Sequence, residues 1–302
     1  MSKHKVKVGV RDNRLGRILG EQVIDLLKEH LPSAALTLVP IADPSGRGHA
    51  ARWPGQSLEQ ALMHEEIDLA VQNMKDLSPD SPPGIVLAAV TARFTPYDVL
   101  IARDGTIVDE LPEGSAISAH TPIRRAQLLH YRDDLSIMDF SGSLEQRMRK
   151  LEMGEVDGLV VSASAVEHMG YQDRVTEVFT TEVVVPAPGQ GALGIQVAKG
   201  SKELLKAAKH LDDPVARVEI EAERAFQREI TSDPSIPVGA LAKLDGTSLC
   251  LEGIIADRDG VKVYRDEEKG KAGDEEQIGA RLARRLLLDG ARALLTPAES
   301  HH

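Results

Sequence analysis

An α/β protein built on mainly parallel sheets is what this sequence predicts, and two observations predict it. Strand-like and helix-like segments alternate from the first residues onward. Hydrophobic residues fill 42% of the 302 positions while aromatic ones fill only 3%. A core with so few rings must be packed with Val, Leu, Ile and Ala, the residues of parallel sheets flanked by helices. The length suits two or three compact domains.

Taken in order, Val6 to Val10 reads as a short buried strand. Arg17 to Glu29 follows with Leu19, Val23, Ile24 and Leu27 at helical spacing. Leu36 to Val39 is the next strand, Ser57 to His64 a helix with Ser57 as its N-cap, and Leu69 to Gln72 a further strand, which makes a βαβ series. A second series spans Val99 to Val185. Its strands are Ala116 to Ser118, Ser136 to Met138 and Gly158 to Ser162, and its helices are Arg124 to Tyr131 and Leu144 to Met153. Pro186 to Gly191 (PAPGQG) is a turn-forming cluster where the chain would cross back to its first domain. A third unit begins near Asp212. It holds a helix from Pro214 to Arg228, strands at Gly239 to Leu244, Cys250 to Ala256 and Val261 to Tyr264, a turn at Asp257 to Gly260 and a helix from Glu276 to Asp289. The charged stretch Asp266 to Glu276 reads as a solvated loop.

Charge narrows the classes of partner. With 36 Lys and Arg against 47 Asp and Glu, the net charge of -11 repels phosphate backbones and anionic lipid. Nucleic acid and membrane are not expected partners, and an anionic ligand would need a locally basic cleft. The opening MSKHKVKVGVR runs straight into a strand pattern with no apolar signal region, and no window holds 18 continuous apolar residues, so a cytoplasmic location is expected. The single cysteine, Cys250, excludes an internal disulfide and a multi-cysteine metal site; no metal is expected. Its place in an alternating apolar strand marks it as a small core hydrophobe. His301 and His302 fit a tag remnant and receive no role.

Four segments carry candidate chemistry. In GVRDNRLGR (Gly9 to Arg17), Arg11, Asn13 and Arg14 follow the first strand where a helix N-terminus begins, which suits an anion receptor as well as two plainly solvated arginines. In DLAVQNMKD (Asp68 to Asp76), a strand ends in Lys75 and Asp76, where ligands gather in open α/β sheets; a simple ion pair fits equally. In HTPIRR (His120 to Arg125), Arg124 and Arg125 point about 100° apart on a helix, so one can serve a cleft while the other serves a domain surface. In PAPGQGALGIQ (Pro186 to Gln196), two glycines flank Gln190, consistent with a close backbone approach or with a hinge turn.

In this order and at these separations, the segments resemble the porphobilinogen deaminase (hydroxymethylbilane synthase) family over nearly the whole chain. Further matches are SGSLEQR ending in Arg147, GEVDGLVV, and the ERA…IPVG stretch from Glu223 to Gly239. The resemblance implies an α/β protein of three domains. Residues 1–95 with 189–210 and residues 96–188 would resemble the two lobes of type II periplasmic binding proteins, with mixed, mainly parallel sheets and a cleft between them. Residues 211–300 would form a small α+β domain bearing the cofactor loop. It further implies a transferase of tetrapyrrole and heme biosynthesis that joins four porphobilinogens, releasing ammonia, on a dipyrromethane primer held by a cysteine thioether. Asp76 matches the carboxylate that stabilises the cationic pyrrole stages, with Lys75 beside it. Arg11, Arg124, Arg125 and Arg147 match binders of the substrate's carboxylates, and Asn13, Gln190 and His168 complete the expected substrate-binding set.

The match fails in places that matter. The family's cofactor loop reads Gly, Gly, Cys before its VPIG-like end; here the frame reads Ser232, Asp233, Pro234, Ser235, and Pro234 offers no nucleophile. Gln72 and Asn73 replace a histidine and a serine. Ser141, His168 and Gln56 stand where family members carry cations, and the loop from Ala42 to Gly55 is short. A pyrrole or other small carboxylate ligand is therefore expected, with no covalently attached cofactor, room for a non-covalent dipyrromethane-like primer, and a monomeric chain. A non-catalytic relative that binds such a ligand as a sensor, carrier or partner subunit fits the same residues.

Overall fold

The structure is a computed structural model and describes residues 4–42, 53–231 and 233–295. Most of the short loop between Ala42 and Gly55, together with Ser232, His301 and His302, lies outside the described residues.

The first unit holds β1 (His4–Arg11), α1 (Arg14–His30), β2 (Ala34–Ile41), α2 (Gln56–Met63), β3 (Leu69–Asn73) and β4 (Ile85–Val90). It is completed by β10 (Leu193–Ala198) and α6 (Lys202–Ala208), to which the chain returns after the PAPGQG turn. The strand order is β2-β1-β3-β10-β4, with β1 parallel to β2 and β3, and β10 antiparallel to β3 and β4. Val6, Val8 and Val10 of β1 pack against Leu19, Val23 and Leu27 of α1. That helix begins three residues earlier than its apolar spacing suggests, because the Asn13 Oδ1 accepts from the Gly16 N–H at 2.7 Å and caps it.

The start of α2 corrects the expected Ser57 cap. The N-cap is Gly55 and Ser57 lies in the first turn. A tertiary contact decides this: the Gly55 N–H donates to the Asp76 carbonyl, and a Cβ there would press on the Gln72 side chain.

The second unit opens with β5 (Asp98–Ala102), β6 (Ala116–Ala119), α3 (Pro122–Tyr131), β7 (Ser136–Met138), α4 (Leu144–Glu152), β8 (Gly158–Ser162), α5 (Ala163–Met169) and β9 (Glu177–Val178). Its order is β7-β6-β8-β5-β9, with β6 parallel to both neighbours and β5 antiparallel to β8 and β9. Both five-stranded sheets are thus mixed. Pro122 at the first position of α3 needs no N–H there, which sets the helix start ahead of the two arginines.

The same unit contains α7 (Pro214–Ile230) from Val218 onward, β11 (Val238–Asp245), β12 (Ser248–Ala256), β13 (Val263–Lys271) and α8 (Glu275–Leu288). The three strands form an antiparallel sheet covered by the two helices, with Phe226, Leu249, Leu251, Ile255 and Leu282 in its core. Two expectations fail here. The charged stretch read as a loop from Asp266 lies mostly in β13, whose full-length ladder with β12 overrides a sequence with no apolar face. Its Asp266 and Glu268 are held by Arg285 of α8, while Arg265, Glu267 and Lys269 face solvent and guard the edge. Cys250 is not in the core. Leu249 and Leu251 take the inner face of β12, and Cys250 sits half-buried on the outer one with its thiol toward Glu267 at 3.8 Å. An apolar seam of Ile123, Val185, Leu241 and Ile254 joins this sheet to the rest of the unit. The turn before β13 docks on α3, where His130 Nδ1 meets the Gly260 carbonyl at 2.9 Å.

Phe226 is fully buried and Leu288 is 83% exposed. In chemical denaturation, Phe226→Ala is expected to lower stability by about 3–5 kcal/mol and Leu288→Ala by less than about 0.5 kcal/mol.

Candidate functional site

In the first unit the parallel register of β1 and β3 brings their carboxyl ends together. Arg11, the last residue of β1, donates through Nη1 to the Asp76 Oδ2 at 3.2 Å, and Asp76 lies in a single helical turn just past β3. Asp76 is 13% exposed against 34% for Arg11, so the carboxylate is set into the strand ends. Lys75 is half-buried beside it. Behind them, Gln72 donates to Gln196 at 2.8 Å and Gln196 to Glu59 at 2.9 Å, a buried polar ladder in which Gln72 fills the place of the family's histidine.

In the second unit, adjacent arginines part company. Arg124 turns inward: its Nη2 donates to Asp98 at 2.7 Å and to the Gln190 Oε1 at 3.0 Å, and the ion pair is only 5% and 1% exposed. The Gln190 Nε2 donates to the Pro96 carbonyl and to Asp98. Gly189 and Gly191, both in the left-handed region at φ 82° and 91°, form the turn that delivers Gln190 to this network. Glu223 holds the turn from behind, accepting from the Gly189 and Ala242 N–H groups. Arg125 bonds the Ile137 carbonyl at 3.1 Å and lies 3.6 Å from Asp259.

Arg147 is the exception among these cations. It extends from α4, opened by a capping box of Ser143 and Gln146, and its Nε and Nη1 are buried with no hydrogen-bond partner. Burial pulls its pKa down to about 10, and the charge of Arg124 is the second cause. At the carboxyl end of β6 the hydroxyls of Ser118 and Thr121 are likewise buried and unbonded. Buried polar groups are almost always paired, so the Arg147 nitrogens and the Ser118 and Thr121 hydroxyls are candidate contacts for a polar guest.

Two further candidates make local hydrogen bonds. Asn13 caps α1, and His168 Nδ1 meets the Ser164 carbonyl at 2.6 Å in the last turn of α5. Pro234 lies in a turn before β11. There Asp233 accepts from the Ser235 N–H at 2.8 Å and Arg258 reaches the Ser235 hydroxyl at 3.3 Å. This turn presents no thiol. Burial, followed by the charge of Glu267, raises the pKa of the Cys250 thiol away from the reactive thiolate. The residues present do not fit a thioether-linked group.

Residues 6–206 match the porphobilinogen deaminase, dipyromethane cofactor binding domain, and residues 217–288 match the porphobilinogen deaminase C-terminal domain. This chain belongs to the porphobilinogen deaminase family. A porphobilinogen deaminase of Pelotomaculum thermopropionicum is 37% identical, covering 98% of this chain and 97% of its own. Another, from Desulforudis audaxviator, is 36% identical over 97% of each. Among solved structures, the VFT2 domain of BvgS from Bordetella pertussis is similar at a TM-score of 0.45 and 14% identity, covering 68% of this chain and 85% of that one. Porphobilinogen deaminases are a family of tetrapyrrole biosynthesis. No helix among the described residues is long and apolar enough to cross a membrane.

Sequence reasoning passed over Asp98, Ser118, Thr121 and Glu223. Asp98 had a signal, a lone acid at the head of the wholly buried run DVLIA. Glu223 had a weaker one, an acid in the middle of an amphipathic helix. The two hydroxyls had none, because nothing local separates an orphaned hydroxyl from a bonded one.

Removing Arg124 strands a buried carboxylate. Arg124→Ala is expected to destabilise the protein by about 3–5 kcal/mol in denaturant titration. Arg147→Met is expected to be neutral or to raise the melting temperature, since it deletes a desolvated, unpaired charge. With its folded pKa below the unfolded one, the Arg147 penalty is complete below pH 10 and relaxes only above it. The gain from Arg147→Met should therefore be flat between pH 6 and pH 9.

Proposed function

We propose that this protein binds porphobilinogen, or a closely related small pyrrole bearing two carboxylates, and does so without a covalently held primer. The observation that carries the reading is Arg147, a buried guanidinium with two unpartnered nitrogens in the unit where the Ser118 and Thr121 hydroxyls are also buried and unbonded. Such a group is costly until a carboxylate reaches it, and a guanidinium fork suits a pyrrole acetate or propionate.

The capacity for carboxylates is limited. Arg124 is committed to Asp98, Arg125 to a carbonyl and the third sheet's turn, and Ser141, His168 and Gln56 supply no fixed charge. A hexapyrrole with about twelve carboxylates would leave many unpaired at roughly 1–3 kcal/mol each. Pro234 supplies no nucleophile for a thioether, and the loop around it is closed by Asp233.

Three measurements test this. Intact mass of protein from a porphobilinogen-producing host should show no adduct of about 400 Da, the mass implied by thioether attachment of a dipyrromethane. Calorimetric titration with porphobilinogen should show binding that Arg147→Met weakens at least about tenfold, the equivalent of one charge-assisted hydrogen bond. Uroporphyrin after acid oxidation should be absent or far below family rates, as for a carrier, sensor or partner subunit. A mapped adduct or robust uroporphyrin from this protein alone would overturn the reading.

A further inference from the structure

The third sheet does not hold its three strands in the same way. Five of the eight residues of β11 and six of the nine of β12 are buried, whereas none of the nine in β13 is. Val263 and Tyr264 are the only apolar side chains of β13, and both stand at its start. Val263 packs on the seam around Ile254 and Tyr264 on the sheet's core. From 265 to 271 the strand carries charged residues and Gly270 alone. On the inner face, Gly270, Glu268 and Asp266 lie opposite Leu249, Leu251 and Gly253 of β12. The helix α8 takes up the room they leave: a Cβ at Gly270 would come within 2.5 Å of the Ile278 side chain, which is fully buried. The core is thus closed by α8 on β12, and β13 adds one tyrosine to it.

Residues 265–271 are fastened by the ladder to β12 and by ion pairs. Arg285 is the centre of that set. Its Nε donates to Asp266 and its Nη1 to Glu268, both at 2.6 Å, and its Nη2 donates to the Glu267 carbonyl at 2.7 Å. Arg281 adds a bond to Glu268 at 3.0 Å, and on the outer face Arg265 pairs with Glu252 of β12. The Arg285 and Asp266 side chains are 38% and 43% exposed, so water and salt reach the pair. β13 is also the edge of its sheet. Segments with little apolar burial and solvent-accessible bonds open at the lowest free energy in a fold.

We infer that residues 265–271 form a strap that opens as a unit while β11 and β12 stay paired, hinged at Val263 and Tyr264 and clasped by Arg285. The clasp is ionic, so the strap loosens as ionic strength rises. Opening bares the edge of β12 and the flank of Ile278, which gives the third sheet an accessible strand edge that the closed form conceals. Nothing in this opening depends on what the chain binds.

Amide hydrogen exchange of the full chain, read residue by residue by NMR, tests the strap. The Ala256 N–H bonds the Pro237 carbonyl on the β11 side, and the Ala272 N–H bonds the Thr247 carbonyl on the β13 side. By alternation, the Cys250 and Glu252 amides point to β11, whereas Leu251 and Glu268 bond each other across the β12–β13 ladder. In wild type at low salt, Leu251 and Glu268 should be protected at least about tenfold less than Cys250 and Glu252. Raising sodium chloride to about 1 M, where the screening length is about 3 Å, should speed Leu251 and Glu268 and leave Cys250 and Glu252 unchanged. Arg285→Met should speed Leu251 and Glu268 at least about tenfold, the equivalent of one charge-assisted hydrogen bond. Arg284→Met, whose partner is Glu229 of α7, should leave all four as in wild type. Equal protection of Leu251 and Glu252 in wild type overturns the strap, and an Arg285→Met variant with Leu251 unchanged overturns its clasp. If Arg285→Met opens the whole sheet, wild type decides: no response of Leu251 to salt overturns the inference.

Discussion

The buried pairing of Arg124 with Asp98, closed by Gln190, is the interaction on which the second unit's candidate site depends. Asp98 heads β5, Arg124 stands in the first turns of α3, and Gln190 comes from a glycine-flanked turn almost a hundred residues away. Each member satisfies the others, which is what makes a buried ion pair tolerable. By fixing the start of α3, the network also fixes Thr121, and with it the neighbouring His120. Glu223 extends the constraint, since its two oxygens tie the same turn to β11 of the third sheet. The candidate site is supported by the bonded groups of Asp98, Arg124, Gln190 and Glu223.

The arginines show how environment divides one residue type into separate tasks. Arg124 is an internal strut, Arg125 an anchor between a strand end and a turn, Arg11 the orienting partner of Asp76, and Arg147 a desolvated cation with nothing to hold. Of the four, only Arg147 has guanidinium nitrogens buried with no hydrogen-bond partner. Stability surrendered at a binding site is a common trade.

The third sheet has a different standing. In the family resemblance it carries the cofactor loop, yet here the corresponding loop is closed by an aspartate turn, held by Arg258 and devoid of a thiol. The sheet is nonetheless well built. Phe226 and Leu282 fill its core, a seam around Ile254 joins it to the second sheet's side, and the Gly260 turn sits on α3 through His130. Its packing supports α3, which gives the domain a role apart from its loop.

The sequence by itself determined the α/β class, the order of nearly every strand and helix, the family, and the absence of a nucleophile at Pro234. These follow from local periodicity, from turn residues and from collinear motifs, all of which can be read along a chain. It did not determine β13, where charged residues follow no apolar period and a ladder with β12 imposes the strand, nor the start of α2, which the bond from the Gly55 N–H to the Asp76 carbonyl selects. Nor did it separate Arg124 from Arg125 and Arg147, or reveal Asp98, Ser118 and Thr121 as their surroundings. Whether a guanidinium is bonded, buried or waiting depends on groups dozens of residues away in sequence. Tertiary packing alone decides it, because desolvation and hydrogen-bond satisfaction are properties of the space around a side chain and not of its neighbours in the chain.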